Sequence, residues 1–268
     1  VILIHCLQSN YWGRGGYMRI AIVGFGKMGH VVREAALRSG HEVVSVIDPH
    51  AQGPEVTSRT CDAASLANAD VVVEFSVPEG IGERMMTYAK AKVPAVVATT
   101  GWYSDMDRIR QRMQETECSI IWSGNFAIGV HLFFGLVRSA ARLMERFPDY
   151  DPVVQELFHA GKGDSPSGTS IMLGNILLEE LTRKNSLETA RLDRKRLDSE
   201  IHLSSARGGS HPGTHTVIFD SPVDSIEITH RARSREGFAT GALQAAAWVS
   251  DGRKGFFKLD DMLAELMG

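Results

Sequence analysis

The chain has 268 residues, 43% hydrophobic and 23% charged, with a formal charge of −3. This is ordinary globular composition, long enough for one large domain or two small ones. The slight negative balance gives no footprint for nucleic acid or an anionic membrane, and no apolar run reaches the length of a membrane span.

Cys6, Cys61 and Cys118 have neither metal-type spacing nor the look of a disulfide framework, which fits a reducing cytoplasm. Val1–Leu7 is apolar but short, with no basic segment and no small-residue cleavage site. Residues 1–17 are expected to be an upstream extension, with Met18 as the initiator. An ordered extra strand is the alternative.

Arg19–Val23 reads as a short buried strand. Gly24-Phe25-Gly26-Lys27-Met28-Gly29 follows at once, and Met28, Val31, Val32, Ala35 and Ala36 then mark one face of a helix that stops at Gly40. Glu42–Asp48 is a second strand ending in an acid, nineteen residues past Gly29. Strand, GxGxxG, helix, strand and acid in this order predict a dinucleotide-binding fold. The first glycine permits the tight turn, the second lets backbone approach the pyrophosphate, and the third lets the helix sit close to the strand. A carboxylate at Asp48 accepts hydrogen bonds from ribose hydroxyls and repels a 2′-phosphate. Pro49 follows it, so NADH is expected over NADPH, with His50 leaving dual use open.

Val71–Phe75 is the next buried strand. Pro78 is expected in the first turn of a helix running to about Ala91, and Ala95–Thr99 in a further strand. Ligands bind at the carboxyl ends of such strands. Phe75, Ser76, Thr100 and Gly101 are therefore candidate cofactor contacts, or equally plain turn residues. Asp105–Glu115 reads as a polar amphipathic helix and Ser119–Trp122 as a strand. At its end Asn125 can bond a nicotinamide carboxamide. Phe126 can pack on the ring or simply fill the core.

Val130–Phe147 reads as a long helix. Strands are expected at Asp151–Phe158, His202–Ala206, His215–Phe219 and Ser225–Arg233, with a helix at Thr169–Leu181. This order predicts a mixed sheet with helices on one face, and an α/β chain overall. Arg183–Glu200 is highly charged and is expected to be a solvated, partly helical connection. Residues 206–213 form a Gly-rich loop that could be mobile. Gly237–Ser250 and Leu259–Met267 read as helices, the last returning to the nucleotide domain. Dinucleotide binding is assigned to 18–127 and 236–268, and substrate binding and assembly to 128–235. The histidines of the late strands, His202, His211, His215 and His230, lack metal-site spacing. No metal is expected, and His215 and His230 are expected to be satisfied strand residues.

The segment 156–170, ELFHAGKGDSPSGTS, carries the chemistry. It passes His159, Lys162 and Asp164 through a Gly-rich turn and enters a helix at a Ser/Gly/Thr cluster. Backbone N–H groups at a helix start bind anions, carboxylates included, so the segment suits a small acidic substrate. A serine-capped connection with solvated charges is the plain alternative.

With these stretches in hand, the chain resembles the dihydrodipicolinate (4-hydroxy-tetrahydrodipicolinate) reductases of diaminopimelate and lysine biosynthesis. The likeness runs from Met18 to Gly268. It rests on Gly24–Gly29, Glu74-Phe-Ser, Ala98-Thr-Thr-Gly101, Gly124-Asn-Phe, Lys162-Gly-Asp-Ser-Pro-Ser-Gly-Thr169, His215-Thr-Val, Glu227–Arg235 and Phe238–Ala242. The resemblance implies a cytoplasmic homotetramer built through the mixed sheets. It implies hydride transfer from NADH or NADPH to an unsaturated dicarboxylic heterocycle. It implies His159, Lys162, Ser167, Gly168 and Thr169 on the substrate carboxylates, with Arg235 contributing, and leaves the proton to Lys162, His159 or a bound water. One position departs. The family usually has two adjacent histidines, the first being the general acid, and here Phe158 stands at the first. The alternatives are therefore an NAD-dependent oxidoreductase acting on another small dicarboxylate or imine, and a catalytically weak nucleotide-binding relative.

Overall fold

The structure, a computed structural model, describes residues 16–267. The expected extension lies almost wholly outside the described residues, as does Cys6. Cys61 and Cys118 are free thiols. The described residues divide into two units. One runs to Ala127 and resumes at Glu236; the other is Ile128–Arg235.

In the first unit, β1 (Arg19–Val23), β2 (Glu42–Ile47), β3 (Val71–Glu74), β4 (Ala95–Val97), β5 (Ser119–Trp122) and β11 (Gly255–Lys258) form one sheet in the order β11-β5-β4-β3-β1-β2. Every pairing is parallel. Such a sheet is buried on both faces, which is why its strands read as continuous apolar runs. Ala21, Val23, Val72, Ala95 and Val97 pack under α2 (Ala63–Leu66), α3 (Ile81–Ala91) and α4 (Met106–Gln114), around Leu66, Met85, Tyr88 and Ile109. The opposite face meets α1 (Lys27–Arg38) and α7 (Glu236–Val249). There Ala239, Ala242, Ala245 and Ala246 are buried, small enough for a close approach. Because β1 pairs β2 on one side and β3 on the other, the chain reverses direction across the sheet at β1. The crevice at that switch point opens at the strands' carboxyl ends.

The second unit is a mixed sheet, β10-β9-β6-β8-β7. It joins β6 (Asp151–Phe158), β7 (Ser186–Glu188), β8 (Glu200–Arg207), β9 (Thr214–Asp220) and β10 (Ser225–Arg231). β6, β8 and β7 run parallel, while β9 is antiparallel to β6 and β10. Helices α5 (Ile128–Met144) and α6 (Gly168–Glu180) cover one face, over Val154, Ile201, Leu203, Val217 and Phe219. Alternation turns Val153, Leu157, Ser204, Thr216 and Ile218 to the other face, which no described helix of this unit covers.

The α/β class and the mixed second sheet agree with the sequence; several local readings do not. Pro78 lies in the turn before α3, which starts at Ile81 with Gly80 as its cap in left-handed conformation. β4 stops at Val97, and β10 at Arg231. Arg183–Glu200 is neither helical nor simply solvated. It supplies edge strand β7 and an ion network in which buried Lys184 meets Asp151 at 2.5 Å and Arg194 meets Glu200 at 2.7 Å. Strand β11 and helix α8 (Leu259–Met267) complete the chain. No helix among the described residues is long and apolar enough to cross a membrane.

Candidate active site

The first unit carries a phosphate-type cradle. Gly24 has φ +89°, and a Cβ there would lie 2.3 Å from the Phe75 carbonyl oxygen, so only glycine fits between β1 and β3. At Gly29 a Cβ would lie 2.3 Å from the Gly24 carbonyl oxygen. Gly26 differs: nothing stands within 4 Å of where its Cβ would be. The protein itself does not require a glycine there, whereas a close-approaching pyrophosphate does. The N–H groups of Lys27 and Met28, opening α1, have no partner among the described residues and face an anion readily.

Asp48 follows β2. Its Oδ2 accepts the Phe25 N–H at 2.7 Å, and its Oδ1 accepts the N–H groups of His50 and Ala51 at 2.8 Å each. Burial opposes ionisation, but those three donors outweigh it and hold the carboxyl below its ordinary range. The carboxylate thereby ties the Gly-rich loop to the end of β2, and keeps capacity for a further hydroxyl donor.

Phe75 and Ser76 follow β3. The Ser76 N–H donates to Thr99 Oγ1, and its hydroxyl donates to the buried Glu74. Glu74 also takes Arg84 Nε at 2.6 Å and the Tyr88 hydroxyl at 2.8 Å, while Arg84 donates to the carbonyls of Val77 and Glu79. The candidate contact loop is thus fixed from beneath by a network that the sequence reading did not find. Thr100, Gly101 and Asn125 are accessible or half-accessible, and Asn125 Oδ1 accepts the Ala127 N–H. Phe126 is 1% exposed. Its ring is buried, the core placement of the two that the sequence leaves open.

In the second unit, Phe158 ends β6 and its ring is ringed by polar groups. Lys162 Nζ lies 4.6 Å from the ring centroid and the Arg207 guanidinium 5.4 Å. The His215 ring meets it edge-on at 5.3 Å. Two residues back on the same face, Glu156 is 3% exposed. It accepts both the Ser167 N–H and hydroxyl, the Ser170 hydroxyl, and Arg207 Nη2. Burial works against its ionisation, but the hydrogen bonds from Ser167, Ser170 and Arg207 prevail and set its pKa at about 2.

This buried carboxylate fixes the start of α6, where Ser167 caps Ser170 N–H. The N–H groups of Gly168 and Thr169 are left without a partner among the described residues, so they present an anion site. Lys162 pairs with the exposed Asp164 at 2.6 Å. Lys162, Ser167, Gly168 and Thr169 are therefore brought to one neighbourhood. His159 and Arg235 are not drawn into it. The His159 N–H bonds the His211 carbonyl, and its imidazole lies over Gly161. Arg235 stands exposed at the end of the unit, without a partner among the described residues.

Glu156 and Arg207 are not among the site residues expected from the sequence, although Glu156 opens the segment 156–170. The sequence reading also takes His215 for a satisfied strand residue. His215 Nε2 does meet Ser167 Oγ at 3.2 Å, but its buried Nδ1 has no partner among the described residues. Burial pushes its pKa down to about 4, against the pull of the Glu156 carboxylate in the other direction. The available signal was register: a glutamate and a histidine on apolar strands, both on the inward parity.

Residues 18–126 match the model of the dihydrodipicolinate reductase N-terminus, and residues 129–263 that of its C-terminus. The chain belongs to the dihydrodipicolinate reductase family. It is 34% identical to the 4-hydroxy-tetrahydrodipicolinate reductase of Christiangramia forsetii, over 93% of this chain and 99% of that one. It is 35% identical to the namesake from Archaeoglobus fulgidus, over 92% and 100%. A dipicolinate-bound dihydrodipicolinate reductase from Paenisporosarcina sp. TG-14 shares its fold with TM-score 0.72, covering 91% of this chain and 98% of the other at 21% identity. Family and cradle agree: the first unit is a pyridine-nucleotide-binding unit of Rossmann type.

Proposed function

We propose that this chain reduces 4-hydroxy-tetrahydrodipicolinate to tetrahydrodipicolinate, the reaction named for its curated relatives. The hydroxyl leaves as water together with a proton from the adjacent ring carbon, and the unsaturated ring so formed gains one hydride and one proton. Bound NADH or NADPH supplies the hydride. The residues of the first unit hold and orient that cofactor: Gly24–Gly29 at the pyrophosphate, Asp48 at the ribose, and Phe75, Ser76, Thr100, Gly101 and Asn125 along the remainder. NADH is the preferred donor, because the Asp48 carboxylate disfavours a 2′-phosphate.

The observation that carries the reading is the Lys162 ammonium over the Phe158 ring together with the N–H groups of Gly168 and Thr169, which have no partner among the described residues. A cation and a helix N-terminus suit two carboxylates. Lys162 also holds the proton that the ring takes up, since Phe158 has none to give. Ser167, held by Glu156, fixes the helix start that makes these contacts. The uncovered sheet face, lined by Val153, Leu157, Thr216 and Ile218, supports assembly into a homotetramer. The enzyme works in the cytoplasm.

The test is oxidation of NADH by purified protein, with substrate generated in situ from pyruvate and aspartate semialdehyde by the preceding synthase. Wild type is expected to turn over, and Lys162→Ala to lose on the order of a hundred- to ten-thousandfold. A silent wild type rescued by Phe158→His would instead favour the second reading, an oxidoreductase acting on another small dicarboxylate or imine. Phe158 is the observation behind that reading.

A further inference from the structure

The turn that presents Asp48 is clasped by an arginine from well along the chain. After β2 the segment Thr57–Ser58 returns beside it: Thr57 N–H donates to the Val46 carbonyl, Asp48 N–H donates to the Ser58 carbonyl, and Ser58 bridges Ile47. This places Arg59 directly on the turn. Its Nη1 donates to the carbonyls of Ala51 and Asp48, the latter at 3.4 Å. Its other N–H groups have no partner among the described residues, and the side chain is exposed. His50, also exposed, projects from the same turn.

Two consequences follow for the adenosine end of the cofactor. First, three backbone N–H groups already engage the Asp48 carboxylate, which spreads its charge and weakens its repulsion of a phosphate. Second, a guanidinium with its remaining donors free sits on the backbone of the residue that addresses the ribose. The N–H groups that Arg59 does not spend on the turn remain open to a phosphate, which a guanidinium binds through charge-assisted hydrogen bonds. Sequence inspection looks for such a cation directly after the strand acid, where this chain has Pro49. Here the fold brings the cation from the strand-like return eleven residues later.

We propose that Arg59, assisted by His50, forms a binding site for the cofactor's 2′-phosphate, and that this site is what admits NADPH alongside NADH. The proposal rests on the nucleotide-binding reading of the first unit but not on the identity of the dicarboxylate.

The test is calorimetric binding of adenosine 2′,5′-bisphosphate and 5′-AMP to the full chain, wild type and Arg59→Ala, with Arg59→Lys as the conservative variant. Arg59→Ala should weaken the bisphosphate by about tenfold or more while leaving 5′-AMP unchanged, and Arg59→Lys should fall between. Equal weakening of both ligands would overturn the proposal, leaving Arg59 as a clasp on the turn alone. Bisphosphate affinity unaffected by Arg59→Ala would overturn it as well. Wild type that binds 5′-AMP but not the bisphosphate would overturn this proposal and leave the nucleotide-binding reading standing. Wild type that binds neither would overturn both.

Discussion

The Lys162 ammonium lies 4.6 Å from the centroid of the Phe158 ring, within the range of a cation–π contact. The Phe158 ring therefore helps to orient the Lys162 ammonium. Such a contact is worth about 1 kcal/mol when partly shielded from water. Phe158→Leu keeps an apolar side chain but removes the ring. It is expected to raise KM for the dicarboxylate about fivefold and to leave NADH affinity unchanged, as read by steady-state kinetics and by NADH fluorescence titration. An unchanged KM would mean that Lys162 is held by Asp164 alone.

The buried carboxylate beneath this site gives the protein an acid-sensitive latch. The Glu156 pKa falls from an ordinary 4.5 to about 2 on folding. A depressed carboxyl contributes stability that is complete above its unfolded pKa and is lost as pH falls through the folded one. The window is thus about 4.5 down to about 2, and the contribution is about 3 kcal/mol. Urea denaturation of wild type and Glu156→Gln across this range should show a gap that is full above pH 4.5 and closes toward pH 2. A gap independent of pH would assign the stability to packing rather than to charge.

His215 acts in a neighbouring window, by a different route. Burial lowers its pKa from 6.5 to about 4, so between those values the unfolded chain binds a proton that the folded chain does not. Stability then rises with pH from about 4 to 6.5 and is complete above 6.5. Substituting His215→Gln should flatten the stability profile in that interval. An NMR titration placing the His215 imidazole pKa near 6.5 would remove the basis for this expectation.

The three glycines of the loop separate folding from binding. A Cβ at Gly24 collides with the Phe75 carbonyl, whereas one at Gly26 meets nothing within 4 Å. Gly24→Ala is expected to lower the melting temperature. Gly26→Ala should keep the wild-type melting temperature but bind NADH about tenfold more weakly, the equivalent of about 1.4 kcal/mol. Equal NADH affinity in Gly26→Ala and wild type would move the pyrophosphate off this loop.

What could be read from the sequence was what repeats locally. The apolar runs of β1, β3 and β5, the glycine spacing and the helix start at Ser167 each follow from short-range patterns. Residues whose role depends on register or return were not readable. Glu156 looks like a strand glutamate until alternation turns it inward under Ser167. Arg59 has no local signal at all, because the turn it clasps ends at Ala51. Phe126 shows the converse: a residue in the segment after β5 that carries Asn125 is itself buried. Strand β11 escaped because Gly255–Lys258 is short and its partner, β5, lies far back in the chain.

The same distinction makes the Glu74–Arg84 pair the most informative stability test in the first unit. Glu74 is fully buried at the end of β3, and Arg84 meets it at 2.6 Å from the first turn of α3. Arg84→Met would leave the carboxylate with only the Ser76 and Tyr88 hydroxyls. Removing one member of a buried pair costs about 3–5 kcal/mol, because the remaining charge stays uncompensated. The double change Glu74→Gln, Arg84→Met removes the charge as well and should recover part of that loss in urea denaturation. Arg84 also holds the Val77 and Glu79 carbonyls, so both variants should bind NADH more weakly than wild type even where stability is recovered. Full recovery of NADH binding in the double variant would show that the network serves folding only, and that the Ser76 loop keeps its shape without Arg84.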